Sequence, residues 1–449
     1  MSHANKTNQS FYRLFATTLM AAALTACAVP TPVPTVSPAQ PQVPAPPTPT
    51  AAPKPTATPE AQPTATAAPA VEAPTTNLTD GCVETFSPDV DYFPEKVTLE
   101  DATGFTVQYF KHYKVVNVLN PWRGADQQFK YVIVQCGAPK PEGFENAVVI
   151  EAPAKDVIAM STTQLPHLEK LDLLDRLIGL DSFTYVNNPK VRALIEAGAL
   201  IEIGFGAQVN VEKTIVAKPD LVMTYGVGDP QYDAHPKLLE AGIPTVLNAE
   251  YMEGTPLGRA EWIKFTALFF NKEGKAQEAY AAMKQRYQNV AEQAKAAANK
   301  PTVISSMASK DKWSVPGGGS YMARLILDAG GAYLYADDIS AGSLSLAFEE
   351  VYDKAVNADV WLLNSFQRYD SIKAILEEEP RYAEMAAVKD GNVWNNDKRV
   401  NENGGNDYWE TGVGNPDLLL ADLVKILHPE LLPDHELVFW RQIPVAPAQ

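Results

Sequence analysis

From Ala147 onward, short runs of β-branched and aromatic residues alternate with segments of helical period. The pattern occurs twice, on either side of one long amphipathic stretch. The first series reads AVVIE followed by TQLPHLEKLDLLDRLIGL as a helix, FTYVN by PKVRALIEAG, KPDLVMTYG by DAHPKLLEAG, and IPTVLN by GRAEWIKFTALFF. After Pro301 a second series reads TVISSMA before SYMARLILDAGG, AYLYADD before FEEVYDKAVN, and ADVWLLN before SIKAILEEEP, with NVWNND as its last strand. Strands alternating with helices predict parallel sheets flanked by helices, hence an α/β chain.

Between the series, NKEGKAQEAYAAMKQRYQNVAEQAKAAANK places Tyr280, Met283, Tyr287, Val290 and Ala294 at three- and four-residue steps. About 28 helical residues at about 1.5 Å each reach about 40 Å, enough to cross from one lobe to another. A short coiled coil is the competing reading, but the repeat is not sustained. The residues from Thr79 to Gln449 are too many for one ordinary core and suggest two lobes. The region before Ala147 reads as strands, with FTVQYF, YKVVNVLN and YVIVQCG bounded by turn residues.

The amino terminus has a different character. Lys6 and Arg13 precede an apolar run, Phe15 to Leu24, which is too short to span a bilayer. The run ends in LTAC, and this arrangement resembles a bacterial lipoprotein signal, implying a lipid on Cys27. Several acyl chains at about 0.8 kcal/mol per buried methylene would hold the protein on a membrane. Residues 28–78 are rich in Pro, Thr and Ala, with almost no large apolar side chain, so they read as an extended, disordered tether. The formal net charge of −17 argues against nucleic acid and against charge-driven binding to anionic lipid. With Cys27 lipidated, Cys82 and Cys136 remain as a pair in an oxidising compartment. A disulfide between them is expected; two free buried thiols are the alternative.

Two α/β lobes joined by one long helix, with an export signal and a lipid site, resemble the helix-linked (class III) substrate-binding proteins of ABC importers, the group that handles iron-siderophores, cobalamin and haem. The resemblance covers about Val115 to Pro433 and is carried best by VNVEKTIVAKPDLVMTYG, by FEEVYDKAVNADVWLLN as the same unit in the second lobe, and by EWIKFTALFFNKEGKAQEAY leading into the long helix. It implies a signal over 1–27, a tether over 28–78, an N-terminal lobe over 79–271, an interlobe helix over 272–300 and a C-terminal lobe over 301–449, with a ligand cleft between two Rossmann-like lobes.

No Gly-x-Ser-x-Gly elbow and no Gly-Lys-Ser/Thr phosphate loop is present, and GFGAQV and VPGGGSY are incomplete as cofactor loops. The six histidines show no ligand spacing for a bare metal, and His167 fits a helix better than a metal or ligand site. Neither a catalytic residue, a cofactor nor a bound metal is expected. Loops at the carboxyl ends of the parallel strands should line the cleft. The first lobe offers Ser161, Thr162, Gln164, Tyr225 and Tyr251; the second offers Trp313, Tyr321, Phe366, Arg368, Arg399, Tyr408 and Trp409. Aromatics with a few cations suit a large, partly apolar chelate with anionic oxygens. Arg259 reads as ambiguous, free to pair with Glu253 or Glu261 rather than meet a ligand. In the resembled family one acid on each lobe meets arginines of the permease; by motif these are Glu212 and Glu349, with Glu350 one step of register away.

The sequence therefore predicts a monomeric, lipid-anchored, extracytoplasmic protein that captures an iron-siderophore complex for an ABC permease and its ATPase subunits and performs no chemistry itself. Cobalamin or haem in the same fold is the alternative cargo, haem with Tyr225 or Tyr321 as axial candidates. A membrane-tethered enzyme on a two-lobed scaffold is the alternative from another class.

Overall fold

The computed structural model describes residues 72–446; the signal 1–27, Cys27 and the tether up to residue 71 lie outside the described residues. The expected tether ends before residue 78. Asn77 is buried, its Nδ2 donates to Glu95 O and Glu273 Oε2 (both 2.9 Å), and Leu78 O accepts from Asn271 (2.8 Å). A polar side chain with partners on three sides folds with the body, whatever the composition before it.

Strands β1 (Phe105–Tyr109), β2 (Tyr113–Val118), β3 (Phe129–Gln135) and β4 (Val148–Ala152) form a four-stranded sheet in that order. The first three strands are an antiparallel meander, and β4 lies parallel to β3. AVVIE thus belongs to this accessory sheet and not to the first parallel one. Cys82 and Cys136 are joined by a disulfide that pins the entering chain to the end of β3.

The first parallel sheet is built from β5 (Val157–Ala159), α1 (Leu165–Lys170), β6 (Leu177–Leu180), α2 (Pro189–Glu196), β7 (Ile201–Glu202), α3 (Val211–Ala217), β8 (Leu221–Thr224), α4 (His235–Glu240) and β9 (Thr245–Leu247). The strand order is β7-β6-β5-β8-β9, every pair parallel. Two readings differ from the sequence expectation. The helix expected over TQLPHLEKLDLLDRLIGL is α1 alone, and LIGL is β6; FTYVN forms no strand. LIGL has no polar alternation to mark a strand because β6 is a central strand covered on both faces. In α3 the turn before Pro219 ends with Lys218 in the left-handed region (φ 52°), since a residue preceding proline is disfavoured in the helical region.

After α5 (Pro256–Ala260) and α6 (Ile263–Leu268), α7 (Glu273–Lys295) runs for 23 residues, shorter than the 272–300 expected. It packs on α6 behind it and on helices of the second series ahead. Its first turn is fixed by Glu273, which is buried and accepts from Lys114 Nζ (2.5 Å) and Asn77.

The second series contains β10 (Thr302–Ser305), β11 (Ala308–Ser309), β12 (Lys312–Pro316), α8 (Tyr321–Asp328), β13 (Ala332–Tyr333), β14 (Ser343–Ala347), α9 (Phe348–Ala355), β15 (Val360–Leu362), α10 (Ile372–Glu378), α11 (Ala386–Lys389), β16 (Val393–Asn395), a π-helical turn Tyr408–Gly412, α12 (Pro416–Leu427) and β17 (Arg441–Gln442). Strands β13-β10-β15-β16 are parallel, and β17 closes the edge antiparallel. A separate antiparallel ribbon, β11-β12-β14, folds over this sheet. Trp313 on β12 is fully buried against Phe348, Trp361 and Tyr382. Its expected place in the cleft is therefore corrected: it belongs to the core that holds the ribbon on the sheet.

Candidate functional site in the interlobe cleft

In both parallel sheets the chain starts at an inner strand and later reverses direction, at β5 in the first lobe and β10 in the second. Such reversals leave a crevice outside the carboxyl ends of the strands, where loops diverge. Two connected cavities occupy that place. The larger, about 500 Å³, lies between residues 120–125 of the β2–β3 loop, Tyr251 and the loop Ser340–Gly342. The smaller, about 270 Å³, is lined by Ser161, Thr163, Gln164, Tyr225, Glu250 and Arg259; Val227 and Tyr251 are common to both.

After β5, Ser161 opens a turn by accepting from Thr163 N (3.3 Å). The turn brings Thr163 into the cavity rather than Thr162, a correction of one residue that follows from its tight pitch. Gln164 is buried, and its Oε1 meets no hydrogen-bond donor among the described residues. After β8, Asp233 accepts from Val227 N (2.7 Å) and Gly228 N (3.0 Å) and so shapes the loop that presents Tyr225. Burial, then the nearby Asp181 and Asp233, raises the Tyr225 phenol above its ordinary pKa. Tyr251 donates to Gly226 O (2.6 Å); burial first and Glu250 next push its phenol up to about 12, with Arg123 acting in the opposite sense.

Arg259 pairs with Glu250 (3.4 Å), not with Glu253 or Glu261. Those two acids are used elsewhere: Glu253 accepts from Thr103 N, Gly104 N and Trp262 Nε1, and Glu261 from the backbone of residues 100–102 and from Lys264. The guanidinium lies 5.3 Å from the ring centre of Tyr321 at the start of α8, so Tyr321 packs against Arg259 without lining either cavity. Its Nε and the Tyr321 hydroxyl are buried without partners among the described residues. Burial pushes the Tyr321 phenol up to about 12.

The remaining second-lobe candidates separate. Phe366 is 85% exposed and stacks on Trp409 (6.0 Å), and Arg368 is exposed beside it in the loop after β15. Tyr408 is buried against Met322, Phe439 and Trp440, so it is a core residue and not a cleft wall. Arg399 pairs with Asp407 (2.8 Å) in its own loop and lines neither cavity. Sequence reasoning assigned aromatics to the cleft by type, but alternation along the chain does not say which of two adjacent aromatics, Tyr408 or Trp409, faces inward.

The same loop reaches the first lobe. Glu410, wholly buried, accepts from Asn187 N and Asn188 N (both 2.7 Å), Arg192 pairs with Glu402 (2.6 Å), and Asn401 Nδ2 donates to Thr184 O and Val186 O (both 3.1 Å). These bonds tie the lobes together at one end of the cleft. His167 is buried, with Nδ1 3.1 Å from Thr266 Oγ1, and faces no cavity large enough for a ligand. Among the described residues no group of three or more His, Cys, Asp or Glu is placed to hold a metal.

A model of the periplasmic binding protein family matches residues 157–400, which spans both lobes and the long helix. The chain belongs to the periplasmic binding proteins. This binding protein is 30% identical over 341 residues to an uncharacterized lipoprotein of Methanocaldococcus jannaschii, covering 70% of this chain and 78% of that one. A second uncharacterized lipoprotein of that organism is 28% identical, covering 70% and 80%. A solved periplasmic binding protein from Veillonella parvula shares the fold at TM-score 0.50 and 13% identity, covering 73% of this chain and 98% of that one. The accessory sheet precedes the matched segment. Cavity-lining residues the sequence reading missed in this binding protein are Trp122, Arg123 and Glu250; Arg259, read as ambiguous, lines the smaller cavity while paired with Glu250. PWRG in a turn was the available signal for the first two, but only tertiary contact places that turn at the cleft.

Proposed function

We propose that this binding protein captures an iron-siderophore complex outside the cell membrane, anchored through lipid on Cys27, and delivers it to an ABC permease. The observation that carries this reading is the pair of cavities at the carboxyl ends of both sheets, with tyrosine walls and a buried arginine whose Nε has no partner among the described residues. Phenol faces suit the apolar skirt of a chelate, and a guanidinium in low dielectric favours its anionic oxygens. Proteins of the family act as solute-binding partners of permease and ATPase components, and relatives are named lipoproteins. Permease docking is assigned to Glu212, exposed in the first turn of α3, and to the start of α9. There Glu349 is engaged by Arg381 (3.2 Å), whereas Glu350 has no ion pair among the described residues, so Glu350 is the better second contact.

Haem is the second reading. It would use Tyr225, since Tyr321 is buried under Arg259. Titration of the full chain with ferric catecholates, ferric hydroxamates, cobalamin and haemin, read by intrinsic fluorescence with ferric citrate and zinc as controls, decides between them. Saturable micromolar or tighter binding of a ferric chelate, weakened by Arg259→Gln, is the expected result. Haemin binding with a Tyr225-dependent absorption band, and no ferric chelate binding, would replace the cargo.

A further inference from the structure

The family match begins at residue 157, yet one wall of the larger cavity comes from residues 120–125, in the accessory sheet. This loop is built into the cleft. Trp122 lies over the β8 loop, where a Cβ at Gly226 would come within 2.8 Å of its ring and one at Gly228 within 2.6 Å. Gly228 also has φ +80°, so glycine there serves both backbone and neighbour. The indole is held edge-on by Phe129 (5.8 Å) and packs beside His235 (5.7 Å). Next to it, Arg123 crosses to the second lobe, its guanidinium lying over the backbone of Gly342 in a space that any Cβ at 342 would fill.

Charge distinguishes Arg123 further. Of the ten arginines among the described residues, eight pair with a carboxylate; Arg123 and Arg368 do not. In a chain of net charge −17, carboxylates are in excess, so an exposed guanidinium without one keeps an uncompensated positive field. Arg123 lines the larger cavity and Arg259 the smaller, with Tyr251 shared between them.

We propose that the β2–β3 loop is a third wall of the ligand cleft, and that Arg123 is a specificity-determining residue that, with Arg259, selects ligands carrying anionic oxygens at two separated points. Through its contact with Gly342, Arg123 reaches the second-lobe side of the larger cavity, where a bound ligand would meet it. This rests on the proposed capture of an anionic chelate, and the test separates the two.

The full chain is compared with Arg123→Gln and Arg123→Lys in titrations with the ferric chelate that binds most tightly. Iodide and acrylamide quenching of Trp122 are measured in parallel, as the difference between each protein and its Trp122→Phe counterpart. The expected result is at least tenfold weaker binding in Arg123→Gln, partial recovery in Arg123→Lys, and iodide quenching of Trp122 that falls at least twofold in Arg123→Gln while acrylamide quenching is unchanged. Equal chelate affinity in wild type and Arg123→Gln overturns the inference and leaves the function standing. If no chelate binds wild type but iodide quenching still depends on Arg123, the cargo reading fails and the anion-attracting wall stands. Iodide quenching indifferent to Arg123 overturns the wall, whatever binds. Arg123 is exposed, so the Gln variant is expected to fold; Gly228→Val, which expels Trp122, supplies a second variant that should weaken the same ligand.

Discussion

At the scale of single residues, Glu410 shows how burial and hydrogen bonding compete. Two backbone N–H groups favour its ionised form, yet burial is stronger and pushes its carboxyl up to about 7. A carboxyl raised in the folded state binds its proton more tightly there than in the unfolded chain. Its stabilising contribution is therefore complete below about pH 4.5 and is lost as pH rises through about 7. Between those limits, the unfolding free energy of wild type relative to Glu410→Gln should fall by up to about 3 kcal/mol, read from denaturant unfolding at a series of pH values. A difference flat across the window would mean that the lobe contact does not depend on this charge. His167 works in the opposite direction: burial drives it down to about 3, so the unfolded chain takes up protons first on acidification. Wild type should lose stability relative to His167→Gln as pH falls from about 6.5 to 3 in the same series. None of this was readable beforehand, because the imidazole takes its hydrogen-bond partner from 99 positions away and the carboxylate takes its partners from the other lobe.

At the scale of elements, local signal and fold agree where a segment carries its own punctuation. SYMARLILD begins with Ser320 accepting from Ala323 N, and SIKAILEE with Ser371 accepting from Ala374 N, so both helices were legible as written. Errors fall on segments without such marks. FTYVN has strand-forming residues, but Phe183 N is taken by Glu202 and Asn401 holds the carbonyls of Thr184 and Val186, leaving no strand to pair with. The ribbon β12–β14 was missed because its two strands are separated by α8 and β13, and only pairing across that distance defines them. The disulfide makes a prediction at this scale. Closing a loop over a sequence separation of 54 restricts the unfolded chain, so Cys82→Ser/Cys136→Ser should lower stability by about 4 kcal/mol and loosen the accessory sheet before the lobes. Hydrogen exchange would show early exchange in β1–β3; uniform loosening of the whole chain would refute the assignment of the bond to that sheet.

At the scale of the whole molecule, α7 and the Glu410 loop connect the lobes at two places, and a continuous helix without proline curves gently but does not kink sharply. Ligand binding should therefore produce a small closure. Spin labels on Glu196→Cys in α2 and Lys373→Cys in α10 should change separation by less than about 3 Å on loading, and a shift of about 10 Å would mean a hinge motion instead. Docking belongs to this scale too. Glu212→Lys with Glu350→Lys should abolish stimulation of the transporter ATPase while chelate affinity changes less than about twofold, since separated charges on rigid lobes set encounter and orientation. Loss of chelate affinity in that variant would place those acids in the ligand site instead. The sequence by itself determined the two α/β series, the long helix between them and the family, because periodicity, capping residues and strand-forming runs act over neighbouring positions. Tertiary structure alone decided the cleft. Whether an aromatic lines a wall or fills the core, which acid pairs with Arg259, and that Trp122 and Arg123 line the larger cavity are set by contacts between residues far apart in the chain, and those contacts exist only once both lobes and the accessory sheet have packed.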